Sequence, residues 1–157
     1  MTTAGNTMRR SDRAIQSEEA KDVLENAEYG VLSMASPNGE PYGIPLNFCL
    51  MNNAIYFHCA PEGRKIELLL RNNAVSFCVV GETEVLRDQF AMKYESVIVS
   101  GRAEDVTGNE KQSALEGLVK KYSKAFYAEG AAKISADIEK TKVYKIMINT
   151  ITGKARR

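Results

Sequence analysis

YFHCAPEGRK, residues 56–65, reads as the end of a β-strand and the start of a helix, and the chain on either side can be organised around that corner. A plain strand-to-helix corner needs only a turn and a cap. This one carries the single histidine of the 157-residue chain, His58, and two cations, Arg64 and Lys65. An imidazole and two cations at the start of a helix suit a phosphate, because the first N–H groups of a helix lack partners and its dipole is positive there. The alternative is that both cations are solvated surface charges beside Glu62 and Glu67.

Upstream, AIYFHCA (54–60) and YGIPLNFCLM (42–51) read as strands joined at Asn52-Asn53, a pair that tolerates positive φ. EYGVLSMAS (28–36) is a further strand, followed by the turn SPNGEP. Before it, Ala20, Val23, Leu24 and Ala27 fall at helical spacing from Ser17, the expected N-cap, with Glu18 and Glu19 in the first turn. Residues 1–16 read as a polar arm bearing Arg9, Arg10 and Arg13, and residues 17–157 as one domain.

Downstream, GRKIELLLRNN is a short helix ending at its asparagines. AVSFCVVG (74–81) and YESVIVSGRAEDV (94–106) are strands separated by a polar connector, ETEVLRDQFAMK. Thr107 and Glu110 have capping-box spacing before a helix with Ala114, Leu115, Leu118, Val119 and Tyr122 on one face. A second helix is expected over about 131–140. The last strand, TKVYKIMINTI (141–151), precedes a basic tail. Six strands with short connections and peripheral helices predict an α+β, mainly β chain built on a six-stranded antiparallel barrel.

Composition narrows the class. The hydrophobic share of 44% and charged share of 26% are those of a globular protein, and the net charge of +1 gives no reason to expect nucleic acid or an anionic membrane. No apolar run is long enough for a leader or a membrane span. Three cysteines, Cys49, Cys59 and Cys78, suggest free thiols and a cytoplasmic location. His58 and Cys59 are adjacent on a strand, so their side chains face opposite ways. A metal site or a cysteine–histidine nucleophile pair is therefore not expected there. No G-x-G-x-x-G follows a strand, which argues against a dinucleotide-binding βαβ unit.

The ordered succession GVLSMASPNGEPYGIPLNF, YFHCAPEGRK, VSFCVV, SVIVSGRA and TGKAR, between Met8 and Arg156, resembles the FMN-binding split barrel of the pyridoxamine-phosphate oxidase superfamily. More narrowly, it is similar to that superfamily's nitroimidazole-resistance branch. The resemblance implies a homodimer with FMN at the subunit interface. It also implies a flavoprotein passing electrons from reduced flavin to a small acceptor, with nitroaromatic compounds as the candidate class. The alternative on the same barrel is a non-enzymatic flavin-binding or haem-handling protein.

By the resemblance, Gly63, Arg64 and Lys65 hold the phosphate, and Ser96 and Val97 contribute polar and backbone contacts. Lys154 is a second-subunit contact. Phe57 and His58 stand among the cofactor contacts, with His58 also a candidate proton donor. The residues offer a place for the flavin ring in Ile44, Pro45, Leu46 and Asn47, since Pro45 removes a ladder donor and favours an edge or bulge with free backbone groups. Pro45 equally suits an edge blunted against aggregation.

Overall fold

The computed structural model describes residues 7–157, so the first six residues of the expected arm lie outside the described part. Its elements are β1 (Ala14–Ile15), α1 (Ser17–Asn26), β2 (Gly30–Ala35), β3 (Pro41–Leu46), β4 (Cys49–Met51), β5 (Ala54–Cys59), α2 (Arg64–Arg71), β6 (Ala74–Leu86), β7 (Ala91–Val106), α3 (Gly108–Tyr122), α4 (Tyr127–Asp137) and β8 (Lys142–Arg156). All strands belong to one antiparallel sheet in the order β3-β2-β6-β7-β8-β5-β4, with β1 added alongside β8.

Among the described residues the sheet has eight strands, not six. One extra strand is β1, which pairs Ala14 with Lys154 and Ile15 with Gly153, so the end of the expected arm is part of the sheet. The other arises because the run 42–51 breaks at Asn47-Phe48 into β3 and β4, which stand at opposite ends of the strand order. Three Cα steps from Leu46 to Cys49 span at most about 11 Å, so the two ends must lie close together. They are not hydrogen-bonded to each other, and the sheet is curled but open, consistent with a split barrel. Phe48 pins the crossing. Its side chain is fully buried, its ring meets Phe77 edge-on at 5.0 Å, and its N–H donates to the Tyr122 hydroxyl at 3.1 Å.

The curl gives the sheet an inner and an outer face. Leu32, Ile55, Phe57, Phe77, Val97, Val99 and Ile146 fill the inside, with α1 adding Ala20 and Leu24 and α2 adding Ile66, Leu68 and Leu69. A smaller cluster lies on the outer face near β5, where Tyr56, Val143, Ala114, Leu115, Leu118 and Ile134 pack under α3 and α4.

Three further expectations are corrected. ETEVLRDQFAMK is not a connector: β6 and β7 continue through it as a hairpin pairing Thr83–Leu86 with Tyr94–Ala91 beyond a register shift after Val80. The basic tail is likewise strand, because β8 runs to Arg156 along β7 past a second shift at Ser100/Gly101. Helix α4 starts at Tyr127 rather than near residue 131. The Asn52-Asn53 turn is as expected, with φ of 52° and 56°.

Neither Ser17 nor Thr107 caps through its side chain. Glu110, the expected capping-box partner, turns to the sheet instead and accepts from the Tyr56 hydroxyl at 2.7 Å and the Lys145 ammonium at 2.9 Å. These two bonds hold its carboxyl below the usual value of 4.5. A depressed carboxylate stabilises the fold above the ordinary value and loses that contribution as pH falls through the lower, folded-state value. Glu110→Gln should therefore lower the melting temperature at pH 7, and the gap from the parent should narrow as pH falls below the ordinary carboxylate range. A gap that does not change with pH would show that the charge is not what matters there.

Candidate cofactor-binding site

Helix α2 begins at Gly63, whose φ of 127° is open to glycine and strained for other residues; a Cβ there would meet nothing within 4 Å, so backbone conformation, not space, favours glycine. No side chain caps the helix, leaving the N–H groups of its first turn free of a capping side chain. Arg64 and Lys65 stand at this end, and neither forms an ion pair with an acid among the described residues. Their contacts are with rings. The Arg64 guanidinium lies 4.3 Å from the centre of the Tyr42 ring, and the Lys65 ammonium 5.8 Å from that of Phe57. Two cations at the positive end of a helix dipole are locally unfavourable, so an anion fits this arrangement better than water alone.

Tyr42 connects that corner to the edge of the sheet. It lies on β3, which among the described residues has β2 as its only strand neighbour, so no described strand pairs with the other edge of Pro41–Leu46. Pro45 thus occupies an end strand, as its missing N–H leads one to expect. Tyr42, Ile44 and Leu46 face inward and are half-buried against the core, while Pro45 faces outward and Asn47 is exposed at the crossing.

The pairing register extends the outer face from Pro45 across the sheet. Pro45, Val31, Cys78, Ile98 and Thr152 lie opposite one another in a single row through β3, β2, β6, β7 and β8. The adjoining row is Val80, Ser96, Lys154 and Ala14. Val31, Val80 and Ile98 are 38%, 57% and 49% exposed, an apolar patch with Pro45, Ser96 and Lys154 set around it. The patch was not read from the sequence, because it depends on the register of five strands. Alternation along β2, β6 and β7 was its only visible sign.

The structure thus sets Arg64, at the start of α2, against Tyr42 of β3, while Pro45, Ser96 and Lys154 lie on the outer face on β3, β7 and β8. Two others point away. The Val97 side chain is fully buried in the core, and its backbone lies in an interior strand between Val79 of β6 and Gly153 of β8. Phe57 is also fully buried, with its ring stacked on Tyr144 at 5.8 Å, so its side chain is a core residue rather than a contact.

His58 alternates with Phe57 and faces outward, toward the α3–α4 side of the sheet. Desolvation there, and secondly the nearby Lys65 charge, lower its pKa below 6.5, which disfavours the charged ring. Cys59 faces the inner core, on the opposite side. Burial raises the pKa of all three thiols, to about 11 for Cys49, so none is a ready nucleophile. Among the described residues no group of histidine, cysteine and acidic side chains is arranged to hold a metal, and no helix is long and apolar enough to cross a membrane.

A family profile described as "Pyridoxamine 5'-phosphate oxidase" matches residues 16–155. Among solved structures, a candidate 5-nitroimidazole antibiotic resistance protein from Bacteroides thetaiotaomicron is 26% identical, with a TM-score of 0.73 over 90% of this chain and 86% of that one. An FAD-binding protein from Mesorhizobium loti is 23% identical, with a TM-score of 0.65 over 92% and 98% of the two chains. An FAD and haem binding protein from Mycobacterium smegmatis is 16% identical, with a TM-score of 0.79 over 90% and 72%. No curated protein matches the sequence.

Proposed function

Because the chain belongs to the pyridoxamine 5'-phosphate oxidase family, we propose that it is an FMN-binding flavoprotein that acts as a homodimer and passes electrons from reduced flavin to a small acceptor. The observation that carries this reading is the start of α2: an uncapped helix end with two cations free of acids, beside the open edge of β3. A terminal phosphate suits that end, which favours FMN among the flavins. From Tyr42 to Pro45 the strand rises about 10 Å, a distance a ribityl chain can span.

In this reading Arg64 binds the phosphate with its guanidinium fork and Lys65 adds a compact charge. The backbone of Ile44–Asn47 meets the polar rim of the ring. Ser96 contributes from the outer face, with Lys154 reaching in from the second subunit. His58 enters as a neighbour of Lys65, in contact with the cofactor rather than as the proton donor. Bound there, the flavin supplies reversible electron transfer, and the protein supplies position and access. The likeness to the B. thetaiotaomicron resistance protein makes nitroaromatic compounds the first acceptors to try.

The purified protein should show the absorbance of an oxidised flavin and release FMN, identified by mass, on denaturation. Colourless protein that fails to take up added FMN would overturn the reading. Reoxidation of the reduced protein by a nitroaromatic acceptor would support an oxidoreductase. Retention of the colour without turnover would favour the non-enzymatic flavin-binding alternative, and release of haem instead would favour the haem-handling one.

A further inference from the structure

The hairpin that joins β6 to β7 has a face that no described residue of its own chain covers. Its ladder pairs Thr83 with Tyr94, Glu84 with Lys93 and Val85 with Met92. Along β7, Ile98, Ser96, Tyr94 and Met92 alternate onto the outer face, so Val85, opposite Met92, lies on that face too. The other face carries the Glu84–Lys93 ion pair at 3.1 Å. Val85 and Met92 are 58% and 43% exposed, and the exposed Phe90 stands beyond them at the tip. The apolar surface of Val80 and Ile98 thus continues past Tyr94 to the end of the hairpin. At the root, the Arg13 guanidinium donates to the Tyr94 hydroxyl at 3.3 Å and anchors it.

Two considerations point to a second copy of this chain as the cover. A two-stranded ribbon is marginal in water unless one of its faces packs against something. An obligate two-fold interface also buries about 1,000 Å² or more on each subunit, and the partly exposed side chains of Val31, Val80 and Ile98 fall well short of that. Such an interface has to extend beyond them, and the apolar surface continuous with them is the hairpin. The pairing register indicates what the hairpin reaches. Ser96 stands opposite Lys154, and the next outer-face pair toward the tip is Tyr94 with Arg156. Met92 follows four residues beyond Ser96, about 14 Å along the strand. A subunit that delivers Lys154 to its partner's cofactor therefore delivers the hairpin to the same place.

We propose that the 82–93 hairpin is an arm that docks by Val85, Met92 and Phe90 on a second copy of the chain and covers that copy's flavin. Each cofactor is then shut in by the partner's arm. The cover rests on the flavin reading, whereas the docking of the arm on a second copy does not.

The chain has no tryptophan, so Phe90→Trp places a single indole at the tip, where a bound flavin quenches its emission. Two mixed dimers separate the possible arrangements. In the first, Phe90→Trp is carried by an Arg64→Ala/Lys65→Ala chain and paired with a parent chain, which alone holds FMN. Its indole emission should fall steeply when FMN is added. In the second, Phe90→Trp stands in a chain with Arg64 and Lys65 intact, paired with an Arg64→Ala/Lys65→Ala chain. Its emission should stay nearly constant. The reverse pattern, or equal quenching in both, would overturn the cover.

Docking is read separately, by sedimentation of the apoprotein. Val85→Glu/Met92→Glu should raise the dimer dissociation constant by about tenfold or more, because it buries unpaired carboxylates, and Glu84→Gln on the opposite face should not. A dimer equally strong in both variants would overturn the docking, as would a parent that sediments as a monomer. The indole result decides the matter even if the double glutamate variant fails to fold. A parent that dimerises through the arm but takes up no FMN would overturn the flavin reading and the cover with it, and support the docking alone.

Discussion

Replacing Arg64 and Lys65 together by alanine is expected to weaken FMN binding by two orders of magnitude or more, while leaving riboflavin binding nearly unchanged. Each cation would give a phosphate a charge-assisted hydrogen bond worth about 1.5–3 kcal/mol, and about 1.4 kcal/mol is a factor of ten in affinity. Riboflavin has no phosphate, so it does not feel the loss.

The fold should tolerate the double replacement. Both charges oppose the dipole of α2, so removing them relieves a few tenths of a kcal/mol. The contact of Arg64 with the Tyr42 ring, worth about 0.5–1 kcal/mol at an exposed site, is lost in exchange. Parent FMN affinity should also fall with rising salt, because the attraction is between partly exposed charges. Fluorescence titration of the apoprotein with each flavin measures the effect. Equal weakening of both flavins would mean that α2 supports the fold of the site rather than the phosphate, and no weakening of either would place the phosphate elsewhere.

The residues that carry this prediction were legible in the sequence because their signal is local. A strand, a glycine and two cations need only a ten-residue window, and the structure sets them at the start of α2 as that window implies. Pro45 was legible for the same reason, since a missing N–H restricts it to an edge or a bulge wherever the strand lies.

What failed depended on distant partners. The split of 42–51 into two strands is set by Phe48, whose burial against Phe77 and bond to Tyr122 come from far along the chain. The 82–93 hairpin reads as polar because it projects with both faces toward solvent: Val85 is exposed and Phe90, at its tip with φ of 49°, is 96% exposed. An element without a buried face leaves no hydrophobic period to read. Phe57 and Val97 illustrate a third kind of failure. The motifs containing them resemble cofactor-binding segments, but strand alternation sends their side chains into the core.

The outer-face row supports the second large effect, Ile98→Glu, which is expected to convert a dimer into a monomer and release its flavin. Ile98 sits beside Cys78 at the middle of the row that runs from Pro45 to Thr152, within an apolar patch that includes Val31 and Val80. A two-fold interface presents the same patch from both subunits, so any change is made twice. A stable obligate interface should bury about 2,000 Å² or more, which places residues at its centre out of water. A carboxylate buried there without a partner costs several kcal/mol, and two of them near the axis repel each other. The dimer dissociation constant should therefore rise by about a thousandfold or more.

The monomer itself should survive, because Ile98 is already half exposed within one chain and surface substitutions usually change stability by less than about 0.5 kcal/mol. Leu70→Glu, at an exposed apolar position on α2 away from the row, is the matched control and should remain dimeric. Sedimentation at micromolar concentration, read at the flavin and protein wavelengths together, separates the outcomes. A parent protein that sediments as a monomer with flavin bound would sink the interface assignment. A dimeric Ile98→Glu variant that keeps its flavin would move the interface to another face. Monomeric Ile98→Glu that has lost its flavin, beside a dimeric and coloured Leu70→Glu, would tie the cofactor to the paired outer faces.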